Sequence, residues 1–133
     1  MELLHRKDLI KNHLKGRVIE NTVGKGDAYP VTSTKMTICF AHYSEESGQM
    51  EPHNHAEETV VVLAGEKCYV KYGDAKDNLT EKRQLIPGDV MHFPELEWHV
   101  FGYEEGGFLD ALCIYGQVDN IRPEDILKKG EHK

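Results

Sequence analysis

The chain has 133 residues, of which 39% are hydrophobic and 29% are charged, and its formal net charge is −7. This length predicts a single domain, and the composition is typical of a folded protein with a packed core. A negatively charged chain repels phosphate backbones, so the composition argues against nucleic acid as a partner. The apolar run over residues 60–64 is far shorter than the roughly 20 residues that a membrane-spanning helix needs.

The cysteines and the N-terminal residues bear on the cellular compartment. Charged residues follow the initial methionine almost at once, so no apolar segment of a signal peptide is visible. Cys39, Cys68 and Cys113 are far apart and odd in number, and each lies in an apolar run, where cysteine usually behaves as a small buried hydrophobe. No Cys-x-x-Cys pair is present, so neither a zinc knuckle nor a thioredoxin-like pair is predicted. We therefore expect a cytoplasmic protein that does not associate with membranes.

Short apolar segments separated by turn-forming residues predict an all-β domain. In chain order, the predicted strands cover residues 17–20, 35–43, 59–63, 67–72, 82–86, 90–93, 98–103 and 108–115. Ala64-Gly65 and Gly106-Gly107 are among the turns expected between them. In the strand over residues 35–43 neither face is fully polar, which favours a closed or double-layered sheet.

Two helices are expected to flank the sheet. The first is predicted over residues 4–14. The second begins at Pro123, has acidic residues in its first turn and Lys128 and Lys129 in its last, and ends at Gly130.

The first segment with candidate functional residues follows Gly48. His53 and His55 are two residues apart, so in an extended strand both imidazoles project from the same face, as two metal ligands on one strand must. Pro52 favours extended backbone at the residue before it. Two adjacent carboxylates, Glu57 and Glu58, come next and lead into the apolar strand over residues 59–63.

The second such segment covers residues 87–101. It begins with the tight turn Pro87-Gly88-Asp89, continues through a short strand and a turn marked by Pro94, and reaches His99 at the start of another strand.

Together the two segments resemble the two motifs of the cupins, small β-barrels in which a metal sits inside the barrel. The first cupin motif is Gly, five residues, His-x-His, three or four residues, Glu, six residues and Gly. Gly48, His53, His55, Glu58 and Gly65 follow this order. The chain departs from the motif in two intervals, with four residues after Gly48 and two before Glu58.

The second cupin motif is Gly, five residues, Pro-x-Gly, two residues, His, three residues and Asn. Gly88, Pro94 and His99 match it at these intervals, whereas Leu96 replaces the glycine and Tyr103 the asparagine. The resemblance spans residues 35–117 and implies a cupin-type double-stranded β-helix, which is a jelly-roll-like barrel, with short flanking helices. We accordingly divide one domain into an N-terminal segment with a helix and an edge strand (1–34), which packs on the barrel, the barrel core (35–117), and a C-terminal helix and tail (118–133).

The resemblance also implies the metal ligands His53, His55, Glu58 and His99. The carboxylate has an alternative, because counting back from Gly65 selects Glu58 whereas strand parity with the two histidines selects Glu57. Three imidazoles and one carboxylate suit a divalent transition metal such as Fe, Mn, Ni, Cu or Zn, and they leave coordination positions open.

Five further side chains are candidates for the wall of the pocket. They are His92, Tyr103, Phe101, Cys68 and Tyr72. Each also has a purely structural interpretation as a core or surface residue. No interior arginine can be assigned, because Arg17, Arg83 and Arg122 lie near strand ends or turns.

Cupins with these ligands include dioxygenases, decarboxylases, isomerases and lyases, alongside ligand sensors, and the fold does not choose between them. The resemblance therefore implies a metal-dependent enzyme, such as a dioxygenase-type oxidoreductase or a lyase, that acts on a small polar, oxygen-rich substrate which chelates the metal. The alternative is a non-catalytic small-molecule binding or sensor barrel. A homodimer is also expected, because the consecutive apolar residues 60–63 require cover on both faces of their strand.

Overall fold

Residues 1–122 are described in the computed structural model, and they fold almost entirely into β-strands. The strands of this part of the chain are β1 (Asn12–Leu14), β2 (Arg17–Gly24), β3 (Val31–Thr32), β4 (Thr37–Tyr43), β5 (Glu58–Gly73), β6 (Glu81–Leu85), β7 (Val90–Phe93) and β8 (Trp98–Tyr115). Two short 3-10 helices cover Arg6–Asp8 and Glu45–Ser47. The predicted all-β class is confirmed. The predicted C-terminal helix lies outside the described residues.

The strands form one sheet in the order β1-β2-β4-β8-β5-β6, with β7 also paired to β5 and β3 paired to β2. The β2–β3 pair is parallel, and the other pairs are antiparallel. Burial alternates strictly along β4, where Cys39, Ala41 and Tyr43 belong to the core. Ile38 and Phe40 on the opposite face are only partly exposed. This pattern fits the prediction that neither face of the strand is left fully polar.

The two longest strands each merge two predicted strands. β5 joins the predictions at 59–63 and 67–72, and β8 joins those at 98–103 and 108–115. They pair with each other along most of their length, with register shifts at Val62/Ala64 and at Glu66/Cys68. A Cβ on Gly65 would lie 2.7 Å from the Cys68 sulfur, and one on Gly107 would lie 2.5 Å from the carbonyl oxygen of Glu66. These glycines therefore permit close approach at bulges, rather than ending the strands as predicted.

The N-terminal prediction of a helix over residues 4–14 is wrong. The chain instead forms the 3-10 helix Arg6–Asp8 and then β1, which pairs with β2 across a turn at Lys15 and Gly16. Gly16 has a φ of +88°, a left-handed conformation that a hairpin turn of this kind favours. Contacts with distant strands outweigh local helix propensity in this segment.

A charged cluster ties the N-terminal segment to the outer face of the sheet. The Arg6 guanidinium donates two hydrogen bonds of 2.7 Å to the Asp110 carboxylate and a third, of 3.1 Å, to Glu20. His42 donates to Asp110 over 2.9 Å, and the guanidinium carbon lies 4.1 Å from the centre of the Phe40 ring. This arrangement explains how two carboxylates can be buried on a face that does not contain the predicted metal ligands.

The outer face near β5 remains partly uncovered. Val60 and Val62 are buried, whereas Leu63 is 40% exposed and Val90, on the neighbouring strand β7, is 65% exposed. The homodimer therefore stays a prediction.

No helix in residues 1–122 is long and apolar enough to cross a membrane. A cytoplasmic location stays a prediction as well.

Candidate metal centre

Three histidines from the two predicted motifs meet in the structure. One ring nitrogen from each of His53, His55 and His99 lies within 4.8 Å of the others. Backbone pairing brings the motifs together, because the amide groups of His53 and His99 each donate to the other residue's carbonyl oxygen over 2.9 Å. The carbonyl oxygen of His55 accepts from the Leu96 amide over 2.8 Å. The site is therefore held by main-chain contacts that do not depend on the imidazoles themselves.

Nδ1 of each imidazole forms a hydrogen bond with a backbone carbonyl oxygen. Nδ1 of His53, His55 and His99 lies 3.3, 2.8 and 3.0 Å from the carbonyl oxygens of residues 51, 56 and 97, respectively. A carbonyl oxygen only accepts, so each Nδ1 must carry the proton and each neutral ring must keep a lone pair on Nε2. Metal-binding histidines in proteins are commonly oriented by such a hydrogen bond.

The Glu58 carboxylate joins this group. Its Oε1 lies 3.4 Å from Nε2 of His55 and 4.0 Å from Nε2 of His99, and its side chain is 4% exposed. Burial raises the pKa of Glu58, while the neighbouring His55 and hydrogen bonds with Tyr115 and Cys113 act in the opposite direction. A buried carboxylate beside three imidazoles can complete a set of hard and borderline donors.

Glu57 occupies a different environment. Its carboxylate accepts a hydrogen bond of 2.6 Å from Nε2 of His92, whose Nδ1 in turn accepts from the Thr59 hydroxyl over 2.8 Å. The side chains of Glu57 and His92 are 60% and 54% exposed. The parity argument for Glu57 fails locally because the chain bends at Ala56, so the alternation from His53 and His55 does not continue into β5.

Burial keeps two of the histidines neutral. It lowers the pKa of His53 to about 4 and that of His99 to about 3. The His55 imidazole lowers both values further, and His53 also lowers that of His99. Hydrogen bonds to the carbonyls of Glu51 and Glu97 oppose these shifts only in part. Both rings are therefore unprotonated near neutral pH, which is the form that binds metals.

The donor set fits a divalent transition metal. Nε2 of His99 is buried and has no hydrogen-bond partner in the described part of the chain. A buried polar atom without a partner is costly, and a metal ion would satisfy it. Three imidazoles with one carboxylate match the preferences of Fe, Mn, Ni, Cu and Zn without selecting among them.

The two departures from the second cupin motif have structural counterparts. Leu96, in place of glycine, has a φ of +66°, a left-handed conformation that costs a branched residue roughly 1–2 kcal/mol. The carbonyl oxygen of Leu96 accepts from the Asn54 side chain over 3.2 Å. Tyr103, in place of asparagine, donates its hydroxyl to the Gly48 carbonyl oxygen over 3.1 Å. Both residues thus connect the two motifs.

Two adjoining cavities open beside the histidines, with volumes of about 440 and 400 Å³. Residues that line both are Arg17, His53, His55, Tyr115 and Ile121. The Arg17 guanidinium forms no hydrogen bond or salt bridge within residues 1–122, and it lies near enough to contribute to the pKa values of His53 and Glu58. The cavities therefore combine a cluster of metal-binding donors with an available cation.

The other predicted pocket residues are dispersed. Phe101 lines the cavity beside Glu58, and its ring centre lies 5.8 Å from that of His99. Tyr103 and Cys68 are buried in the core, and the Cys68 thiol donates to the Leu85 carbonyl over 3.6 Å. Tyr72 and His92 line a separate cavity of about 600 Å³ that contains none of the three clustered histidines.

Residues that sequence reasoning did not select also reach the site. Tyr115 packs edge-on against His55, with ring centres 5.4 Å apart. Cys39 and Cys113 line the same cavity as Glu58. Strand alternation in β8 places Cys113 and Tyr115 on one face and could have indicated them, whereas no feature of the sequence marks Arg17 as interior.

Comparison with solved structures identifies the architecture. The polyketide cyclase RemF from Streptomyces resistomycificus superposes with a TM-score of 0.72 at 19% identity, over 98% of this chain and 93% of that one. HppE, solved with Fe(II) and an alternative substrate, gives 0.63 at 16% identity over 86% and 60% of the two chains. Oxalate decarboxylase from Lactobacillus farciminis, in a formate complex, gives 0.66 at 18% identity over 94% and 36%. These neighbours are cupin-fold proteins.

The chain has the cupin fold. No family model matches the sequence, and no curated protein matches it either. The histidine cluster of this cupin fold could bind a metal, whose identity the donor set leaves open.

Proposed function

We propose that the protein is a metal-dependent enzyme whose substrate is a small, oxygen-rich anion. The observation that carries this proposal is the cluster of His53, His55, His99 and Glu58 beside a cavity that also contains Arg17. His53, His55, Glu58 and His99 would hold the metal, which would supply Lewis acidity and an open coordination position for a substrate. The reaction types that suit such a site are oxidation, decarboxylation, isomerisation and lyase chemistry.

Arg17 supports an anionic substrate. Its guanidinium offers a fork of donors that matches a carboxylate, or a pair of enolate oxygens, through two parallel hydrogen bonds. Since the residue lines both cavities, a molecule held there would lie beside the imidazoles as well. One end of the substrate would thereby be fixed while its oxygens face the metal position.

Other residues would control protons and water. Burial raises the pKa of Tyr115 well above its ordinary value, so its hydroxyl stays protonated and can donate to Glu58 or to a substrate oxygen. Phe93 stacks on His99 with ring centres 4.1 Å apart, and Phe101 packs against both rings. These aromatic side chains exclude water from one side of the site and thereby strengthen its electrostatic interactions.

The structural neighbours support metal-dependent chemistry on small molecules. HppE carries Fe(II) with an alternative substrate, and the oxalate decarboxylase carries formate. Identities below 20% link these proteins to this chain only through the fold. The proposal therefore rests on the site residues of this chain.

Metal analysis of untagged protein tests the first half of the proposal. We expect about one equivalent of a transition metal, and we expect the double variant His53→Ala/His55→Ala to lose it. His13→Ala/His92→Ala is the matched control, since it removes two histidines that lie outside the cluster. Added metal should also raise the melting temperature of the wild type but not that of His53→Ala/His55→Ala, because a ligand bound by the native state stabilises it. Full metal content in His53→Ala/His55→Ala would refute the assignment.

A substrate screen tests the second half. The Fe(II) and Mn(II) forms would be incubated with carboxylates, 2-oxo acids and enediols while products and oxygen uptake are followed. For a compound that is turned over, we expect Arg17→Met to raise KM by about tenfold or more, because a charge-assisted hydrogen bond to the anion is lost. A compound that binds tightly but is never converted would instead favour the non-catalytic binding or sensor barrel.

A further inference from the structure

Two cysteines face each other beside the candidate metal centre. Cys39 on β4 is paired directly with Cys113 on β8 in the antiparallel register. Both are free thiols, and both line the cavity that contains His55 and Glu58. The third cysteine, Cys68, is buried elsewhere in the core and does not line this cavity.

The register of the strands brings the two sulfurs within bonding range. Residues directly opposite each other in antiparallel strands have Cα atoms about 4.5–5.5 Å apart, and disulfides span roughly 4.4–6.8 Å. Both side chains project from the same face of the sheet into the core, because directly paired residues share a face. A disulfide between them would therefore require side-chain rotation and a small approach of two strands that are already paired.

Cys113 also lies near a candidate metal ligand. It pairs with Val60 on β5, two residues from Glu58, and it lines the same cavity as Glu58. Cys39, burial and Glu58 together raise the pKa of the Cys113 thiol well above its ordinary value. Residues that pack around a metal ligand orient it, and their loss typically weakens metal binding by about 10–100-fold. A disulfide would turn the Cys113 sulfur toward Cys39 and so change the surroundings of Glu58.

We propose that Cys39 and Cys113 form a redox-responsive dithiol that closes to a disulfide on exposure to a hydroperoxide and so weakens metal binding at the adjacent site. The disulfide itself goes beyond the proposed function, whereas its effect on metal binding rests on that function. Both residues line the cavity, which offers a small oxidant a route to them, although both side chains are largely buried.

The chemistry balances with hydrogen peroxide as the oxidant. Because its raised pKa keeps the Cys113 thiol protonated, Cys39 supplies the attacking group. The Cys39 thiol gives up its proton and attacks a peroxide oxygen, the O–O bond breaks, and the departing oxygen takes the proton to leave a sulfenic acid and water. The second thiol then attacks this sulfur, which forms the S–S bond and releases a second water molecule. Two thiols are oxidised by two electrons in total, and the peroxide is reduced to water.

The test uses reduced, full-length, metal-free protein treated with hydrogen peroxide. After denaturation and alkylation without a reductant, we expect the number of labelled cysteines to fall from three to one. Peptide mapping should show Cys39 linked to Cys113 within a single chain. Dithiothreitol should restore labelling of all three cysteines. Unchanged labelling, added oxygen atoms without a crosslink, or links between separate chains would each overturn the proposal.

Metal affinity provides the second measurement. Titration with Mn(II) should give a dissociation constant about tenfold larger for the oxidised protein than for the reduced protein. The matched variants are Cys39→Ser, which should bind Mn(II) and be insensitive to peroxide, and Cys68→Ser, which should respond like the wild type. Equal affinities in the two redox states would overturn the effect on metal binding. If neither state binds Mn(II), the proposed function and its redox control fail together, and the disulfide is judged from the labelling alone.

Discussion

Glu57 and Glu58 are neighbours in the sequence, yet their carboxylates lie in opposite environments. Glu58 is 4% exposed beside His55, whereas Glu57 is 60% exposed and bonded to His92. A one-residue change in the ligand would therefore move the carboxylate from the buried cluster to the protein surface. The two residues offer a matched pair of substitutions for the metal centre.

We expect Glu58→Gln to weaken metal binding by about tenfold or more and Glu57→Gln to leave it unchanged. Glutamine keeps the shape of the side chain but replaces a charged oxygen donor with a neutral one, which a divalent cation binds less well. Metal stoichiometry and affinity of the two variants in one buffer are the measurements. If the variants exchange these phenotypes, Glu57 is the ligand, and equal partial losses would mean that the two residues share the role.

At the scale of elements, the N-terminal segment depends on one side chain. Arg6 is the residue that pairs with the buried carboxylates of Glu20 and Asp110. Desolvation raises the pKa of Asp110, but hydrogen bonds from Arg6 and His42 outweigh it and hold that pKa below its ordinary value. Removing Arg6 would leave two carboxylates buried without their main partner.

We therefore expect Arg6→Ala to lower the free energy of unfolding by about 2 kcal/mol, a figure discounted because the Arg6 side chain is itself 36% exposed. Denaturant unfolding measures this loss. Lys7→Ala is the control, since Lys7 lies in the same 3-10 helix and is exposed. An equal effect of the two substitutions would show that the charged cluster contributes nothing specific.

The sequence predicted strands well where alternation and turns agree, and less well where tertiary contacts decide. Residues 90–93 were predicted as the strand that the structure contains, because Gly88 and Pro94 bound it on both sides. Gly65 and Gly107 were interpreted as turns, but they are needed where backbones approach closely, a requirement that depends on the partner strand. The 3-10 helix at Arg6 likewise depends on Asp110, which is more than a hundred residues away.

The residues of the candidate site also fall into those that the sequence predicted and those that only the structure shows. His53, His55 and His99 could be selected because two short motifs place them at recognisable intervals, and the structure brings their rings together. Arg17 could not be selected, since its position in the cavity follows from the pairing of β2 with β4 and from the turn at Gly16. The spacing of residues within short motifs thus predicts the metal ligands, whereas the residues that line the cavity depend on how the strands pair.

At the scale of the whole molecule, we expect a homodimer whose interface includes the exposed apolar residues Leu63 and Val90. A second copy would cover this part of the outer face and remove apolar surface from water. Light scattering of the wild type should give the mass of a dimer, and Leu63→Glu/Val90→Glu should give that of a monomer. A monomer mass for the wild type at high concentration would refute the expectation.

The pH dependence of stability follows from the buried histidines. In the metal-free protein the pKa values of His53 and His99 are about 4 and about 3, below the value of about 6.5 expected when the chain is unfolded. As pH falls below 6.5, the unfolded chain takes up protons that the folded protein does not, so the free energy of unfolding decreases. The raised pKa of Glu58 acts in the opposite direction above its unfolded value of 4.5, because the folded carboxyl then holds its proton more tightly.

The two histidines lower the free energy of unfolding as pH falls, and the single carboxylate raises it. The histidines outnumber the carboxylate, so we expect a net decrease. We expect the metal-free protein to lose about 1 kcal/mol of unfolding free energy per pH unit between pH 6 and pH 4.5, since each unmatched proton contributes about 1.4 kcal/mol per unit. Urea unfolding at several pH values measures the slope. His99→Phe, which keeps a ring beside Phe93 but removes the ionisable nitrogen, should flatten the slope, whereas His92→Ala at the exposed surface should not. A slope that is the same in the wild type and in His99→Phe would show that burial of His99 does not govern the acid sensitivity of the fold.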